Sequence, residues 1–331
     1  MSGHRLDEDD VRVRPGRGKS RPRSKDRPAH EEAARGFVIA VDRGRFTVAL
    51  DDRPEDAEPV FAVKARELGR KGIVVGDEVD LVGDLEGGID SQARIVRRLE
   101  RRSTLRRTAD DADPVERVIV ANATQLAVVT ATIDPDPSYG LIDRALVAAY
   151  DAGIRPLLIV TKTDLAPADE LQRLYAPLAV PLFEVARVPP PALADALRDE
   201  ATVVIGHSGV GKSTLVNALV PGAGRSIGRV NAVTGKGRHT STSAVALRLP
   251  GGGWIIDTPG IRSFGLAHVD PERVIHAFPD LAEGTAGCPR ACSHDEPDCA
   301  LTGWADEQPA AVSERLASMR RLLASERTPY A

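Results

Sequence analysis

A glycine-rich segment that ends in a lysine and two hydroxyl residues carries the sharpest chemical signal in the sequence. It has the spacing G-x-x-x-x-G-K-[S/T] and consists of Gly206, His207, Ser208, Gly209, Val210, Gly211, Lys212, Ser213 and Thr214. Such a loop wraps closely around phosphates, so that successive backbone N–H groups point at a β-phosphate. Lys212 would bridge the β- and γ-phosphates, and Ser213 would supply a hydroxyl oxygen to Mg²⁺. A glycine-rich turn without a ligand is the alternative.

An acidic motif lies 51 residues downstream, in the string Ile255-Ile-Asp-Thr-Pro-Gly260. Asp257 follows an apolar run and would hold Mg²⁺ through water, while the N–H of Gly260 could reach a γ-phosphate. The same residues occur in ordinary turns. Their position after a predicted strand and after the glycine-rich loop favours the nucleotide role.

The stretch Thr161, Lys162, Thr163 and Asp164 follows another apolar run and is similar to the guanine motif N-K-x-D. The Asp164 carboxylate could accept hydrogen bonds from N1–H and the 2-amino group of guanine, neither of which adenine offers. Lys162 would pack its aliphatic stem over the base. Thr161 stands where asparagine is usual, which alters one structural hydrogen bond. Alone, the string could be a surface turn.

The order of these motifs is unusual, because the guanine motif precedes the glycine-rich loop and the acidic motif comes last. In most GTPases the guanine motif is the last of the three. All three can still meet at the carboxyl ends of one sheet's strands if the fold is circularly permuted.

The three cysteines of the chain cluster near the C-terminal end, at Cys288, Cys292 and Cys299, with His294 between them. Three thiolates and one imidazole suit tetrahedral Zn²⁺, and a closed set of four ligands is typical of a structural site. The alternative is three buried free thiols, which explains neither the clustering nor the histidine.

Two basic runs stand out from a chain whose net charge is −4. Residues 11–27 contain eight basic residues and one acidic residue. The second run contains Arg94, Arg97, Arg98, Arg101, Arg102, Arg106 and Arg107. Such clusters attract polyanions and favour RNA binding, largely through phosphates; simple surface solubility is the alternative.

The composition argues against a membrane or secreted protein. No run of 18 or more apolar residues occurs, as an ordinary transmembrane helix would need. The first thirty residues are charged and proline-rich and lack the apolar segment of a secretory signal. We therefore expect a cytoplasmic protein with no membrane partner.

The residue pattern divides the 331 residues into four parts. Residues 1–35 have hardly any aliphatic side chains and should form a disordered basic tail. Residues 36–107 contain five short β-branched stretches, which predict a small β-barrel of OB or SH3-like type. They also contain the second basic run, residues 94–107, which we call the basic link. Residues 108–268 alternate strands and helices, as a mostly parallel sheet with crossover helices does. Residues 269–331 contain the Cys/His cluster and helical stretches.

The pattern also predicts the bounds of the strands and helices. The expected barrel strands are 36–41, 46–50, 60–63, 77–82 and 93–96. The expected later strands are 118–121, 126–130, 157–160, 201–205, 244–249 and 254–256. The expected helices are 139–152, 168–175, 212–220 and about 309–325.

Taken together, these motifs resemble the ribosome small subunit-dependent GTPase A family (RsgA) over about residues 36–325. The permuted order, residues 237–242 (Gly-Arg-His-Thr-Ser-Thr), residues 252–260 and residues 292–299 are the most specific parts. The resemblance implies a multidomain α/β protein with an OB-type barrel, a circularly permuted GTPase domain and a helical zinc-binding domain. It also implies that the small (30S) ribosomal subunit, with its 16S rRNA, stimulates GTP hydrolysis during late maturation.

The resemblance also assigns roles in switch segments. Thr240 is the candidate switch threonine on Mg²⁺, with Thr242 as the fallback, and His239 corresponds to the histidine tied to hydrolysis. Ile261 occupies the position of the water-orienting glutamine of Ras-type enzymes, so intrinsic turnover should be slow and need a partner. The Cys288–Cys292 and His294–Cys299 spacings are each one residue shorter than expected, which requires a tighter zinc loop.

Two other functions fit the same residues. One is a nucleotide-dependent RNA-remodelling ATPase, which guanine selectivity at Asp164 would exclude. The other is a non-enzymatic RNA-binding module that only senses nucleotide, which subunit-stimulated hydrolysis would exclude. The expected partners are GTP or GDP and the small subunit, and nothing in the sequence demands a dimer, so we expect a monomer.

Overall fold

The structure is a computed structural model that describes residues 30, 32–54, 57–69, 72–107, 117–223, 244–258, 269–296 and 298–327. Most of the predicted basic tail lies outside these ranges. Gly260, Ile261 and the candidate switch residues His239, Thr240 and Thr242 also lie outside them.

The N-terminal part forms a closed five-stranded barrel. Its strands are β1 Ala34–Asp42, β2 Arg45–Leu50, β3 Val60–Lys64, β4 Glu78–Gly83 and β5 Gly88–Arg98. They follow the order β1–β2–β3–β5–β4, and β4 returns to pair with β1. The pair β3–β5 is parallel and the others are antiparallel. Of the two barrel types expected, this topology is the OB type. Its interior is filled by aliphatic side chains such as Val38, Val48 and Leu81.

The central sheet has the order β10–β9–β8–β11–β13–β12. Its strands are β8 Gln125–Ala131, β9 Arg155–Thr161, β10 Leu182–Val185, β11 Ala201–Ile205, β12 Val245–Arg248 and β13 Trp254–Asp257. All are parallel except β12, which pairs antiparallel with β13. The mostly parallel sheet is therefore confirmed. The strand β10 and the following helix α3 (Pro191–Leu197) were not expected, because segments of four and seven residues are too short to show a clear period.

One expected strand lies elsewhere. The sequence predicts residues 118–121 as a buried strand of the parallel sheet, whereas β7 (Arg117–Ala121) pairs antiparallel with β6 (Thr104–Arg107), outside that sheet. The basic link therefore supplies a partner strand, in which Leu105 is fully buried. A short continuous apolar run such as residues 118–121 is compatible with either partner strand, so the residue pattern alone could not identify the partner.

Helices cover both faces of the central sheet. They are α1 Tyr139–Asp151, α2 Asp169–Tyr175, α3, and α4 Lys212–Leu219, followed in the C-terminal part by α5 Pro271–His276, α6 Pro279–Ala282, α7 Ala300–Asp306 and α8 Ala310–Arg327. Helix α1 is buried along most of its length between the sheet and α8. Helices α1, α2 and α8 meet at Tyr175, the last residue of α2. The Tyr175 hydroxyl donates to Asp143 of α1 at 2.8 Å, and Arg321 of α8 lies over the Tyr175 ring. No helix in the described ranges is long and apolar enough to span a bilayer.

The barrel joins the central sheet through β12 and through the basic link. Ala40 of β1 pairs with Val245 of β12, and Phe37 stacks on Trp254 with ring centroids 4.9 Å apart. In the link, Arg101 forms a bidentate ion pair with Asp77, at 2.7 and 2.9 Å. The Asp77 side chain is fully buried, and that of Arg101 is only 13 % exposed. Arg101 is therefore part of the packing between the barrel and the link.

Replacing Arg101 by alanine should destabilise the protein by about 3 kcal/mol, because a buried carboxylate would lose its cation. The measurement is the urea midpoint of unfolding, followed by circular dichroism. Arg102→Ala is the matched control: its exposed pair with Glu78 should contribute about 1 kcal/mol or less. Equal midpoints for the two variants would contradict the structural role of Arg101.

Candidate nucleotide site and metal cluster

The three nucleotide motifs meet at one edge of the central sheet. The guanine-type motif begins at the end of β9, the glycine-rich loop follows β11, and Asp257 ends β13. These strands are parallel, so their carboxyl ends lie on the same side of the sheet. The order of the motifs along the chain therefore does not prevent one common site.

The glycine-rich loop needs its glycines for steric reasons. A Cβ atom on Gly206 would lie 2.4 Å from the carbonyl oxygen of Val129, so no side chain fits between the loop and β8. Gly209 and Gly211 have φ angles of +87° and +84°, in the left-handed region that glycine tolerates best. Ser213 is exposed on the first turn of α4, where a metal ligand could be placed. Of the remaining loop residues, Val210 is buried, His207 is half-buried, and Ser208 and Thr214 are exposed.

Lys212 and Asp257 connect the glycine-rich loop to the acidic motif. The Lys212 Nζ atom lies 2.7 Å from Asp257 Oδ1 and 3.4 Å from the carbonyl oxygen of Thr258. The two side chains are only 14 % and 17 % exposed. The Thr258 hydroxyl donates to the carbonyl oxygen of Val204 in β11, which holds the end of β13 in place. A mostly buried cation and a mostly buried carboxylate therefore lie side by side at this edge of the sheet.

Thr161 connects the guanine-type motif to the glycine-rich loop. Its Oγ1 atom lies 2.6 Å from the carbonyl oxygen of Val210 and 3.1 Å from that of Thr130. A hydroxyl has one proton to donate, so the shorter contact to Val210 is the main bond. The side chain that replaces asparagine therefore still fixes one motif against the other.

The residues after Thr161 form a tight turn at the same edge. Lys162 has a φ angle of +59°, and its ammonium group donates to the carbonyl oxygen of Asp134. The Thr132 hydroxyl donates to the carbonyl oxygen of Lys162 at 2.9 Å. The Thr163 N–H points to the carbonyl oxygen of Val185 in β10 at 3.5 Å. The turn is held by the loop after β8 and by the end of β10.

Asp164 has a charged neighbour that the sequence did not indicate. The Arg187 Nε atom lies 3.3 Å from Asp164 Oδ2. Arg187 follows β10, and without that strand in the prediction nothing linked it to the guanine-type motif. The missing signal was the adjacency of β9 and β10.

The four metal-ligand candidates converge in the C-terminal part. One ligand atom from each of Cys288, Cys292, His294 and Cys299 lies within 4.8 Å of the others. The Cys288 Sγ atom is 3.8 Å from both Cys299 Sγ and His294 Nδ1. A tetrahedral ion about 2.3 Å from each sulfur would set sulfurs about 3.8 Å apart. This set can bind a metal ion.

The backbone of the cluster is left-handed at Ala291 and His294, with φ angles of +58° and +65°. The chain therefore turns sharply at these two residues, between the candidate ligands. Burial raises the pKa of the Cys292 thiol to about 12. A cation is needed to keep it as a thiolate at neutral pH. Outside the cluster, Arg320 donates to the carbonyl oxygen of His294 at 2.7 Å and orients that ligand.

The predicted RNA-binding arginines differ in their surroundings. Arg94 lines an open groove on the barrel together with Lys64, Arg66 and Glu67. The others in the run contact the protein itself: Arg97 pairs with Asp80, Arg98 donates to the carbonyl oxygen of Gly72, Arg101 and Arg102 form the ion pairs described above, and Arg106 donates to Thr104. For Arg107, the structure describes only the backbone, in β6.

Replacing Thr161 by valine should weaken GDP binding about tenfold, since the carbonyl of Val210 loses its partner and the loop loses its anchor. The shape of the side chain is retained, and Thr161→Ser, which keeps the hydroxyl, is the matched control. The measurement is titration with a fluorescent GDP analogue. Unchanged affinity in the valine variant would show that the loop does not need this bond.

Comparisons with known proteins agree with this geometry. The family model described as RsgA GTPase matches residues 98–267. The chain is 41 % identical over 265 residues to "Small ribosomal subunit biogenesis GTPase RsgA" of Pseudomonas aeruginosa, and the aligned region covers 76 % of each chain. It is 40 % identical over 307 residues to the protein of the same name from Azotobacter vinelandii, over 88 % of this chain and 85 % of that one.

Solved structures show the same fold. The crystal structure of YjeQ from Thermotoga maritima matches with a TM-score of 0.62 at 24 % identity, over 88 % of this chain and 98 % of that one. YloQ, described as a circularly permuted GTPase, matches with a TM-score of 0.60 at 23 % identity, over 92 % and 100 % of the two chains. With its motifs in the permuted order and about 40 % identity to curated relatives, the chain belongs to the RsgA GTPase family.

Proposed function

We propose that this GTPase binds the small (30S) ribosomal subunit, contacts its 16S rRNA, and assists its late maturation by hydrolysing GTP in response to that contact. The observation that carries the proposal is the convergence of Asp164, the glycine-rich loop and Asp257 at one sheet edge, in a chain similar to proteins named for small-subunit biogenesis. A monomer in the cytoplasm is the state that we expect.

In the proposed site, GTP is bound by its phosphates and by its base. The N–H groups of residues 206–214 and the Lys212 ammonium group bind the phosphates, at the N-terminal end of α4. Asp164 accepts from the guanine edge, and Thr161, Lys162 and Thr163 hold that turn in position. Bound Mg²⁺ would neutralise charge on the β- and γ-phosphates, and the Ser213 hydroxyl and Asp257 carboxylate are oxygen groups of the type that it prefers.

The remaining catalytic residues are proposed from the resemblance. His239 would act in hydrolysis, Thr240 would be the switch threonine, and the N–H of Gly260 would contact the γ-phosphate. Because Ile261 replaces a water-orienting glutamine, the chain needs the subunit to complete the site.

The C-terminal cluster is proposed to bind one structural Zn²⁺. Cys₃His ligation with sulfur–sulfur distances near 3.8 Å supports zinc, and four protein ligands leave no position for a substrate. The ion would fix the loop before α7.

The barrel is proposed to bind rRNA through its basic groove. The groove has a volume of about 550 Å³ and contains Arg94, Lys64 and Arg66. The groove opens to solvent, whereas Arg101 is already engaged by Asp77. Within the basic run, Arg94 is therefore the strongest candidate for a phosphate contact.

The metal proposal predicts one zinc ion per chain, removed by His294→Ala. The measurement is elemental analysis of the purified full chain. His276→Ala is the matched control, because His276 is exposed on α5 and outside the cluster. A full zinc content in His294→Ala would contradict the proposed ligand set.

The ribosomal proposal predicts that the chain sediments with isolated small subunits, but not with large subunits, in the presence of a non-hydrolysable GTP analogue. Raising the salt concentration should weaken binding steeply. Arg94→Ala should make the negative slope of log binding constant against log salt concentration shallower by about 1. Arg155→Ala is the matched control and should leave the salt dependence unchanged. This exposed arginine lies outside the barrel groove and pairs with Glu200 at the amino ends of the central strands, opposite the nucleotide motifs. Equal sedimentation with both subunits would overturn the proposal.

A further inference from the structure

The ion pair between Arg187 and Asp164 is a feature that the three motifs do not account for. Strand β10 pairs in parallel with β9 so that Val185 lies opposite Thr161. Asp164 and Arg187 follow these two positions closely, in adjacent loops at the same edge. The adjacency of the strands therefore sets a guanidinium group beside the carboxylate assigned to guanine.

The fold does not need this contact. The Arg187 side chain is 87 % exposed and that of Asp164 is 28 % exposed. Exposed pairs of this kind contribute little to stability, because water and salt screen them and two long side chains must be ordered. Removing the Arg187 side chain should therefore leave the protein folded, which makes its role at the site testable.

Exposed apolar residues also occur in the loops that carry this pair and in the loop after β8. The large hydrophobic residues that the described part of the chain exposes are Val63, Ile133, Leu165 and Val188. Leu165 directly follows Asp164, Val188 directly follows Arg187, and Ile133 lies in the loop after β8. Single exposed hydrophobics are ordinary, but three of the four in loops at one edge, around a polar pair, suit a flat aromatic ligand with a polar rim.

We propose that Arg187 is a specificity residue that donates a hydrogen bond to O6 of guanine, beside the acceptor Asp164; this rests on the guanine site proposed above. The edge of guanine presents one acceptor, O6, followed by two donors, N1–H and the 2-amino group. A guanidinium group has five N–H donors, so contact of Nε with Asp164 leaves others for O6. Arginine and aspartate together present the complementary row of one donor and two acceptors.

The same pair would reject adenine. Adenine carries an amino group at position 6, so a donor would face the donors of Arg187. Its N1 is an acceptor and would face the Asp164 carboxylate. A site of this kind selects guanine by leaving buried or paired polar groups without partners when the wrong base enters.

The test is competition against a fluorescent GDP analogue on the full chain, with GDP, IDP, ADP and the diphosphate of 2-aminopurine riboside. GDP and IDP both carry O6, whereas 2-aminopurine lacks it. Arg187→Ala should weaken GDP and IDP by about tenfold each and leave the 2-aminopurine nucleotide unchanged. Arg198→Ala is the matched control, because Arg198 is also exposed and paired with an aspartate, but follows α3 at the other end of β11. It should leave all four affinities unchanged.

Two results would overturn the proposal. If Arg187→Ala weakens all four nucleotides equally, Arg187 acts only through Asp164 or through the phosphates and does not bind O6. If GDP binds equally well, Arg187 makes no net contribution to base binding; if GDP binds more tightly, Arg187 occupies the base position in the unliganded protein and must be displaced.

The failure of the underlying guanine site would look different. In that case Asp164→Asn would keep the full preference for GDP over ADP, whatever the effect of Arg187→Ala. Thermal melting of each variant, expected to match the unmodified chain, confirms that affinity changes arise in folded protein.

Discussion

The contact between Lys212 and Asp257 is the interaction on which the rest of the site depends. A lysine of the glycine-rich loop and a carboxylate of the acidic motif, both mostly buried, lie 2.7 Å apart because β11 and β13 are adjacent and parallel. Each group balances the charge of the other. In the proposed site, a triphosphate would offer oxygens to Lys212, and the hydration shell of Mg²⁺ would offer donors to Asp257.

The strand that carries Asp257 is also connected to the barrel. Trp254, at the start of β13, stacks on Phe37 of β1, and the neighbouring β12 pairs with β1 at Val245. Arg101 and Asp77 form a second junction through the basic link. On the opposite side, α1 is covered by α8 of the C-terminal part. The motif edge of the sheet, the barrel and the C-terminal part therefore form one continuous set of packed contacts.

The sequence predicted the features that depend on local residue type. The glycine-rich loop, the Cys/His cluster and the long apolar strands each have a signature within a few residues. The features that depend on the choice of partner were missed: β7 pairs with the basic link, and β10 is a strand only because β9 lies beside it. The contacts of two arginines also depend on neighbours that are distant in the sequence. Arg101, which the sequence predicts as an RNA contact, forms an ion pair with a buried aspartate, and Arg187, which the sequence did not indicate, lies beside Asp164.

The most direct test of the account is GTP turnover by the full chain, alone and with isolated small or large ribosomal subunits, with Lys212→Ala as the control. The account predicts slow turnover alone, strong stimulation by the small subunit only, and loss of that stimulation in Lys212→Ala. Stimulation that persists in Lys212→Ala, or that both subunits produce equally, would contradict it.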